Sequence, residues 1–375
     1  MNKLSLVLAL TVLGNQWLLA NADSGSVIVV SQDGTGDFNG TDEKPIREAI
    51  KKARQRGGGT VQIRPGNYLI RRGLKLTSGI TIRGTKGTVL KLASPVTVTA
   101  PAKQGQDFLV VDNTSELAAD TYIDIYPPAG DKKVQTVEIR EIEQGKLILS
   151  GQLHQSVAKK SRVGYPSNVF FVGGSEKNIT IEKLVIDGGR KKDIPMPGHC
   201  ERCALLAHGV WTYEDGPTAP PIENVRVVDC HIRNCYGRAV AMYSVVRSKV
   251  KGCLIEDIAD EGIDLDHFCY HCDVTGNTVK RSVTGVTIND GSYCTIQDNR
   301  FENCDVGVTM WWWHQCPQEN LNVENVIKNN VITSPKKVGI SLGKKCFRNK
   351  NISNIVEGGI NVTESDNVVE KNTPK

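Results

Sequence analysis

Past residue 60 the apolar residues fall on alternate positions in short runs, broken by Gly, Asn and Asp. Alternation of this kind predicts strands with one buried face. The runs also recur. "AVAMY" at 239, "GIDLD" at 262, "GVTIN" at 285, "GVTMW" at 307 and "GISLG" at 339 follow one another at spacings of 23, 23, 22 and 32 residues. A second column, Cys230, Cys253, Asn277, Asn299 and Asn330, keeps nearly the same period. Each of its members stands three residues after an apolar residue and two before another. A period of about 22 to 24 residues with three short strands per repeat predicts one coil of a right-handed parallel β-helix. Stacking sets like on like, about 4.8 Å apart. Asn277, Asn299 and Asn330 then become an internal amide ladder that pairs turn groups otherwise buried alone.

Ahead of the coils, a Gly/Asp-rich loop leads into an amphipathic stretch over residues 44–56 that stops at three glycines. This predicts one helix capping the open end of the stack. The rhythm breaks over residues 96–165 ("FLVVDN", "TYIDIY", "VEIREIEQGKLILS"), which predicts a small inserted β subdomain. The expected class is all-β: a solenoid with an N-terminal capping helix and that insertion. Its divisions are a leader at 1–22, cap and first coils at 23–95, the insertion at 96–165 and the main coils at 166–375. The leader is read from Lys3, the apolar run "LSLVLALTVLG" and "WLLA", and "ANA" at 20–22. No later stretch is apolar enough to span a bilayer. A secreted or periplasmic chain is expected, and a monomer.

High glycine, few aromatics and abundant Val, Ile, Thr and Asn agree with a turn-rich β protein. A net charge of +5 is too mild to call for nucleic acid. There are eleven cysteines, including the CxxC pairs Cys200/Cys203 and Cys269/Cys272. Four thiolates there could bind zinc. In the coil register, however, Cys230/Cys253 and Cys272/Cys294 fall in shared inward columns, and Cys269 in a turn. Small core side chains, some of them close enough to bridge, are the reading preferred for the cysteines.

The candidate chemistry lies in "GIDLDHF" at 262–268. Asp264 and Asp266 alternate with Ile263 and Leu265, so both aspartates are expected on an exposed outward face. The register sets Asp264 between Ala241 and Thr287. Asp266 falls between Tyr243 and Asn289, and His267 between Ser244 and Asp290. His208 falls below them. Trp311, Trp312 and His314 begin an insertion one coil further on, and Trp211 and Tyr213 flank the other side. Glycosidic cleavage needs one carboxylic acid and a second carboxylate, and neighbouring carboxylates raise one another's pKa. Asp264, Asp266, Asp290 and His267 are the catalytic candidates. Asp264 and Asp290 are taken as the acid/base pair, Asp266 as support or nucleophile, and His267 and His314 as positioning groups. Tyr243, Asn289, Trp311, Trp312, His314, Arg238 and His208 are the substrate-binding candidates.

The cap, "GGGTVQIRPGNY", the asparagine ladder and the "GIDLD" strand resemble the pectate-lyase-like superfamily over residues 25–362. The resemblance implies the right-handed parallel β-helix. It spans pectate lyases, polygalacturonases, other glycoside hydrolases, alginate epimerases and lyases, and phage tailspikes. The aspartate arrangement is similar to that of polygalacturonases, although their paired Asp-Asp reads Asn289-Asp290 here and their Gly-His-Gly and Arg-Ile-Lys motifs are absent. "DLDH" is similar to the Asp-Pro-His of alginate epimerases. The pectate lyase pattern would make Asp264 and Asp266 calcium ligands, with Arg238 or Arg281 as base. The expectation is an exported enzyme that cleaves a polysaccharide, a glycoside hydrolase ahead of a calcium-dependent lyase or uronate C5-epimerase. No cofactor is expected outside the lyase case. A non-catalytic glycan-binding solenoid is the other alternative.

Overall fold

The computed structural model describes residues 27–313, 317 and 321–374. The leader, His314 and Cys316 lie outside the described residues. Three parallel sheets of thirteen, nine and ten strands run the length of the described chain. Each coil gives one strand to each sheet, and successive coils pair in register. In the nine-stranded sheet, Val240, Ile263, Val286, Val308 and Ile340 stand one above another. All five are fully buried and belong to a single apolar core that continues from the helix to the last coils. Among the described residues, no helix is long and apolar enough to cross a membrane.

The helix spans Glu43–Gln55. The Asp42 side chain caps it by accepting from the Lys44 N–H at 3.0 Å. Ile46, Ala49, Ile50 and Ala53, at helical spacing, face the first coil and close its apolar end. The helix stops where the Gly58 N–H bonds the Ala53 carbonyl. Gly58 has φ +133°, and a Cβ there would fall 2.8 Å from the Gly79 carbonyl oxygen. Only glycine lets the chain turn this close to the next coil.

Between the coils, strands from Val96 to Gly164 form a separate six-stranded antiparallel sheet with its own apolar cluster around Ile123, Ile125, Ile139 and Val163. The coil stack resumes at Phe170, which pairs back to Leu74 across the whole insertion.

The ladder is longer than the repeat columns indicated. Asn277 Nδ2 donates to Asn299 Oδ1, Asn299 to Asn330, Asn330 to Asn354 and Asn354 to Asn372, all at 2.9–3.0 Å. Each rung also accepts from the backbone N–H of the rung before it. A second ladder, Asn325–Asn349–Asn367, continues the Cys272/Cys294 column. The ten described cysteines are free thiols. The two CxxC pairs do not converge on one point. Cys269 lies in the connection after the strand, as expected, but its side chain enters the core with Cys272 and its thiol donates to the Met242 carbonyl at 3.2 Å.

Asn299 makes four buried hydrogen bonds through its side chain, to Asn277 N and Nδ2, Val274 O and Asn330 Oδ1. Asn299→Leu removes all four and leaves partners without water, each costing about 1–3 kcal/mol. Chemical denaturation should therefore show a loss of about 3 kcal/mol or more. An unchanged midpoint would mean that the amides do not hold the coils together.

Candidate functional site

The nine-stranded sheet carries the site on its outer surface. One outward column runs Lys75, Phe171, Leu206, Ala241, Asp264, Thr287, Thr309, Ser341. The neighbouring column contains Gly173, His208 and Tyr243, and on later coils Asn289 and Trp311. Asp266 enters it between Tyr243 and Asn289, because its N–H bonds the Met242 carbonyl at 2.8 Å just past the strand end. The positions predicted for Asp264, Asp266 and His208 hold.

Their surroundings do not match the expected wet face. Asp264 is 1% exposed and Asp290 0%. Asp266, His267, Asn289, Arg238 and Tyr243 are also buried. The cover comes from loops outside the repeat. A hairpin of Trp211–Thr212 and Gly216–Pro217 folds across the sheet. Trp211 lies parallel to Tyr243 at 6.2 Å and tilts against His267 at 4.8 Å, while Tyr213 meets His267 edge-on at 5.1 Å. From the far side, the Trp313 backbone N–H donates to Asp290 Oδ1 at 3.1 Å.

Arg238 is the centre of the buried cluster. Its Nε donates to Glu261 Oε2 at 2.7 Å and lies 3.0 Å from Asp264 Oδ2 and 3.8 Å from Asp260. Its Nη2 lies 3.9 Å from Asp266, and its Nη1 donates to the Tyr243 hydroxyl. The Nε hydrogen points at Glu261, so Asp264 Oδ2 has a charge beside it but no in-line hydrogen bond. One guanidinium thus serves four carboxyls. Burial and the nearby Asp266 charge push the Asp264 carboxyl well above the usual carboxylate range, against the pull of Arg238. Burial and Asp260 raise Glu261 as well. Burial also raises the Tyr243 hydroxyl, helped by Asp264 and Asp266. Burial alone would lower the Arg238 pKa, but its acidic neighbours more than reverse this and keep it charged.

Asp266 is held differently. Its Oδ1 accepts from Asn289 Nδ2 at 2.7 Å and from the His267 backbone N–H at 2.9 Å. Asp290 stands behind His267 rather than beside Asp264. Its Oδ2 meets His267 Nδ1 at 2.8 Å, and burial raises its pKa against the pull of that ring. His267 Nε2 then faces the Tyr213 hydroxyl at 3.4 Å and Asp266 Oδ1 at 3.3 Å. His208 turns its Nδ1–H to the Gly209 carbonyl at 2.9 Å and stacks on Tyr243 at 5.0 Å. The Asp264 Oδ2, Thr287 Oγ1, Asn289 Oδ1 and Ser244 Oγ atoms are buried with no hydrogen-bond partner among the described residues. Such atoms are costly, and their concentration on one face marks a site rather than a core.

Trp311 follows Asn289 in the outward column, is 36% exposed and meets Trp313 edge-on at 5.6 Å. Trp312 packs under Lys345. Arg281 is not brought to the site: it pairs with Glu256 and Asp257 on another face. Glu261 and Asp260 went unread in the sequence, although register arithmetic stacks Arg238 on Glu261. Cys200, which meets the Tyr243 hydroxyl, and His199 beside it sit in a loop with no periodic signal.

A family model described as "Right handed beta helix region" matches residues 170–323. No curated protein matches the chain by sequence. Among solved structures, a protein named XylC, in complex with xylose, is 13% identical, with 90% of this chain and 70% of that one covered and a TM-score of 0.52. A glycoside hydrolase is 12% identical, with coverages of 93% and 97% and a TM-score of 0.48. A hyperthermoactive exopolygalacturonase from Thermotoga maritima is 14% identical, with coverages of 88% and 72% and a TM-score of 0.47. The coil register, the asparagine ladders and the matched family model together give the chain the right-handed parallel β-helix fold.

Proposed function

We propose that the chain is a carbohydrate-active enzyme that cleaves a polysaccharide by hydrolysis, with Asp264 as acid and Asp266 as base or nucleophile. One observation carries this reading. Two carboxyls, two residues apart at the end of one strand and so about 6–7 Å apart along the chain, occupy opposite environments. Asp264 is buried without an in-line donor and keeps its proton. Asp266 accepts two hydrogen bonds suited to a carboxylate. Asp264 would protonate the glycosidic oxygen while Asp266 attacks the anomeric carbon or takes the proton of a water. Asp290 orients His267, and His208, Tyr243, Asn289, Trp211 and Trp311 line the sugar path. A sugar ligand is what XylC, of the same fold, is bound to.

Asp264 is 1% exposed, so a polymer reaches it only when its cover moves, and opening is part of the cycle. Arg238 supplies the positive charge that calcium would supply in a lyase. Export through the N-terminal leader and a monomeric state belong to the same reading. A second reading rests on the Asp290–His267–Tyr213 chain. That chain suits proton transfer at C5 of a uronate, and so a lyase or epimerase. The third reading is a glycan-binding solenoid without turnover.

Asp264→Asn and Asp266→Asn should each cost at least about a hundredfold in rate, with the fold retained. Asp290→Asn should lose comparable activity through a misoriented His267. On a panel of neutral and acidic polysaccharides, hydrolysis gives new reducing ends without ultraviolet absorbance, unaffected by chelator. An unsaturated, absorbing product would move the chemistry to His267 and Tyr213. Glycan binding with no new ends and no epimerisation would leave the binding solenoid.

Stability should follow the same proton. The Asp264 pKa is raised on folding, so the unfolded chain releases this proton near its ordinary value of 3.8 while the folded chain holds it. Wild-type stability therefore falls as pH rises from about 4 toward the folded pKa. Asn at this position has no proton to lose. The melting temperature of Asp264→Asn minus that of wild type should increase between pH 4 and pH 7. A difference that decreases would mean that Asp264 is ionised in the folded protein.

A further inference from the structure

Beside the sugar site, a loop carries the pair Cys200 and Cys203, and its two thiols differ in every respect. Cys200 alone among the ten described cysteines is not buried. Its sulfur accepts from Arg238 Nη1 at 3.6 Å and meets the Tyr243 hydroxyl at 3.3 Å. The His199 ring borders it and pairs through Nδ1 with Asp260 Oδ2 at 3.6 Å. Cys203 is fully buried, and its thiol donates to the His199 carbonyl at 2.9 Å. His199 and Arg202 both take φ +60°, which curls the loop and sets one sulfur outside and the other inside. Gly237 lies against it: a Cβ there would fall 2.3 Å from Glu201 O and 2.8 Å from Cys203 Sγ.

We propose that Cys200 and Cys203 form a redox-active dithiol, with Cys200 the attacking sulfur, Cys203 the resolving sulfur and small disulfides as the co-reactant. The electrostatics agree. Burial works against a Cys200 thiolate, but His199, Tyr243 and Arg238 outweigh it and draw the thiol below its ordinary value. Asp260 and Cys200 lift His199 to about 9, so the ring is a cation at neutral pH. Burial pushes the Cys203 thiol well up, as suits a group that waits for its turn.

The Cys200 thiolate attacks one sulfur of the small disulfide. That S–S bond breaks, a mixed disulfide forms, and the departing thiolate takes a proton from solvent. Cys203 then gives up its proton and attacks the Cys200 sulfur, and the second small thiol leaves. Two electrons pass from the pair to the co-reactant, and the chain retains a Cys200–Cys203 disulfide. Once bridged, Cys200 no longer accepts from Arg238, whose other partners are Glu261 and Asp264. The oxidised pair thereby changes the surroundings of the proposed acid. The inference goes beyond the sugar-site reading, and its thiol chemistry is measured without turnover.

The test uses the folded, fully reduced chain carrying Cys316→Ser, since Cys316 lies outside the described residues, and 5,5′-dithiobis(2-nitrobenzoate) as the disulfide. Two equivalents of nitrothiobenzoate should be released quickly, with no adduct retained and a 200–203 disulfide found by peptide mass. Cys203→Ser should release one equivalent and keep the adduct. Cys200→Ser should lose the fast phase, and His199→Ala should slow it about tenfold. A fast phase that survives Cys200→Ser would overturn the proposal. So would a stable adduct at Cys200 while Cys203 is present, or a rate indifferent to His199.

Discussion

In-register parallel pairing is the constraint from which everything else here follows. Each coil must present the same donor and acceptor edge as the last, so a residue finds its own counterpart directly above and below. Apolar counterparts make a core that needs no local cleverness: Val240, Ile263, Val286, Val308 and Ile340 are simply stacked. Polar counterparts must solve a harder problem, because they are buried against copies of themselves. Asparagine solves it, since its amide is donor and acceptor at once. A ladder of such amides satisfies every rung from its neighbours.

The same stacking gathers charge where charge is expensive. Arg238 and Glu261 occupy one column position, and Asp264 and Asp266 follow on the outer face. A buried guanidinium among four carboxyls is a poor device for stability, because desolvation cancels much of the attraction. It is a good device for keeping a proton. The surplus of negative groups is costly to ionise in a dry site, and the Asp264 carboxyl is pushed well above the usual carboxylate range. The aromatic hairpin packs on the neighbouring Tyr243 and His267 and adds to the dryness of this face. Cover and charge imbalance therefore act as one system, and neither would perturb the carboxyl as strongly alone.

What could be read from the sequence divides along the same line. Positions set by the period were legible: the coils, the first ladder, the inward Ile263 and Leu265, and the company of Asp264, Asp266, His267 and Asn289. Arg238 over Glu261 obeys the same arithmetic and was there to be read. So was the second ladder of Asn325, Asn349 and Asn367. Burial of the site was not legible. It depends on the loop around His199 and Cys200, the Trp211 hairpin and the turn at Trp313, which belong to no repeat and so have no register to betray where they land. A strand pattern says which face a residue takes. It does not say whether a loop from elsewhere covers that face.

The two inner columns change residue type partway along: Cys230 and Cys253 give way to Asn277 onward, and Cys272 and Cys294 to Asn325 onward. A cysteine thiol offers one weak donor and reaches a carbonyl of its own or the preceding coil. An asparagine rung is interchangeable, since each accepts from the coil before and donates to the coil after. The asparagine half is thus a modular lattice, into which a whole coil could be spliced or from which one could be removed with the pattern closing again. The cysteine half has no such freedom. Both inner columns are asparagine only past Cys294, so the coils from Asn325 and Asn330 onward form the open seam of this solenoid, and the proposed chemistry stands on the fixed stem before it.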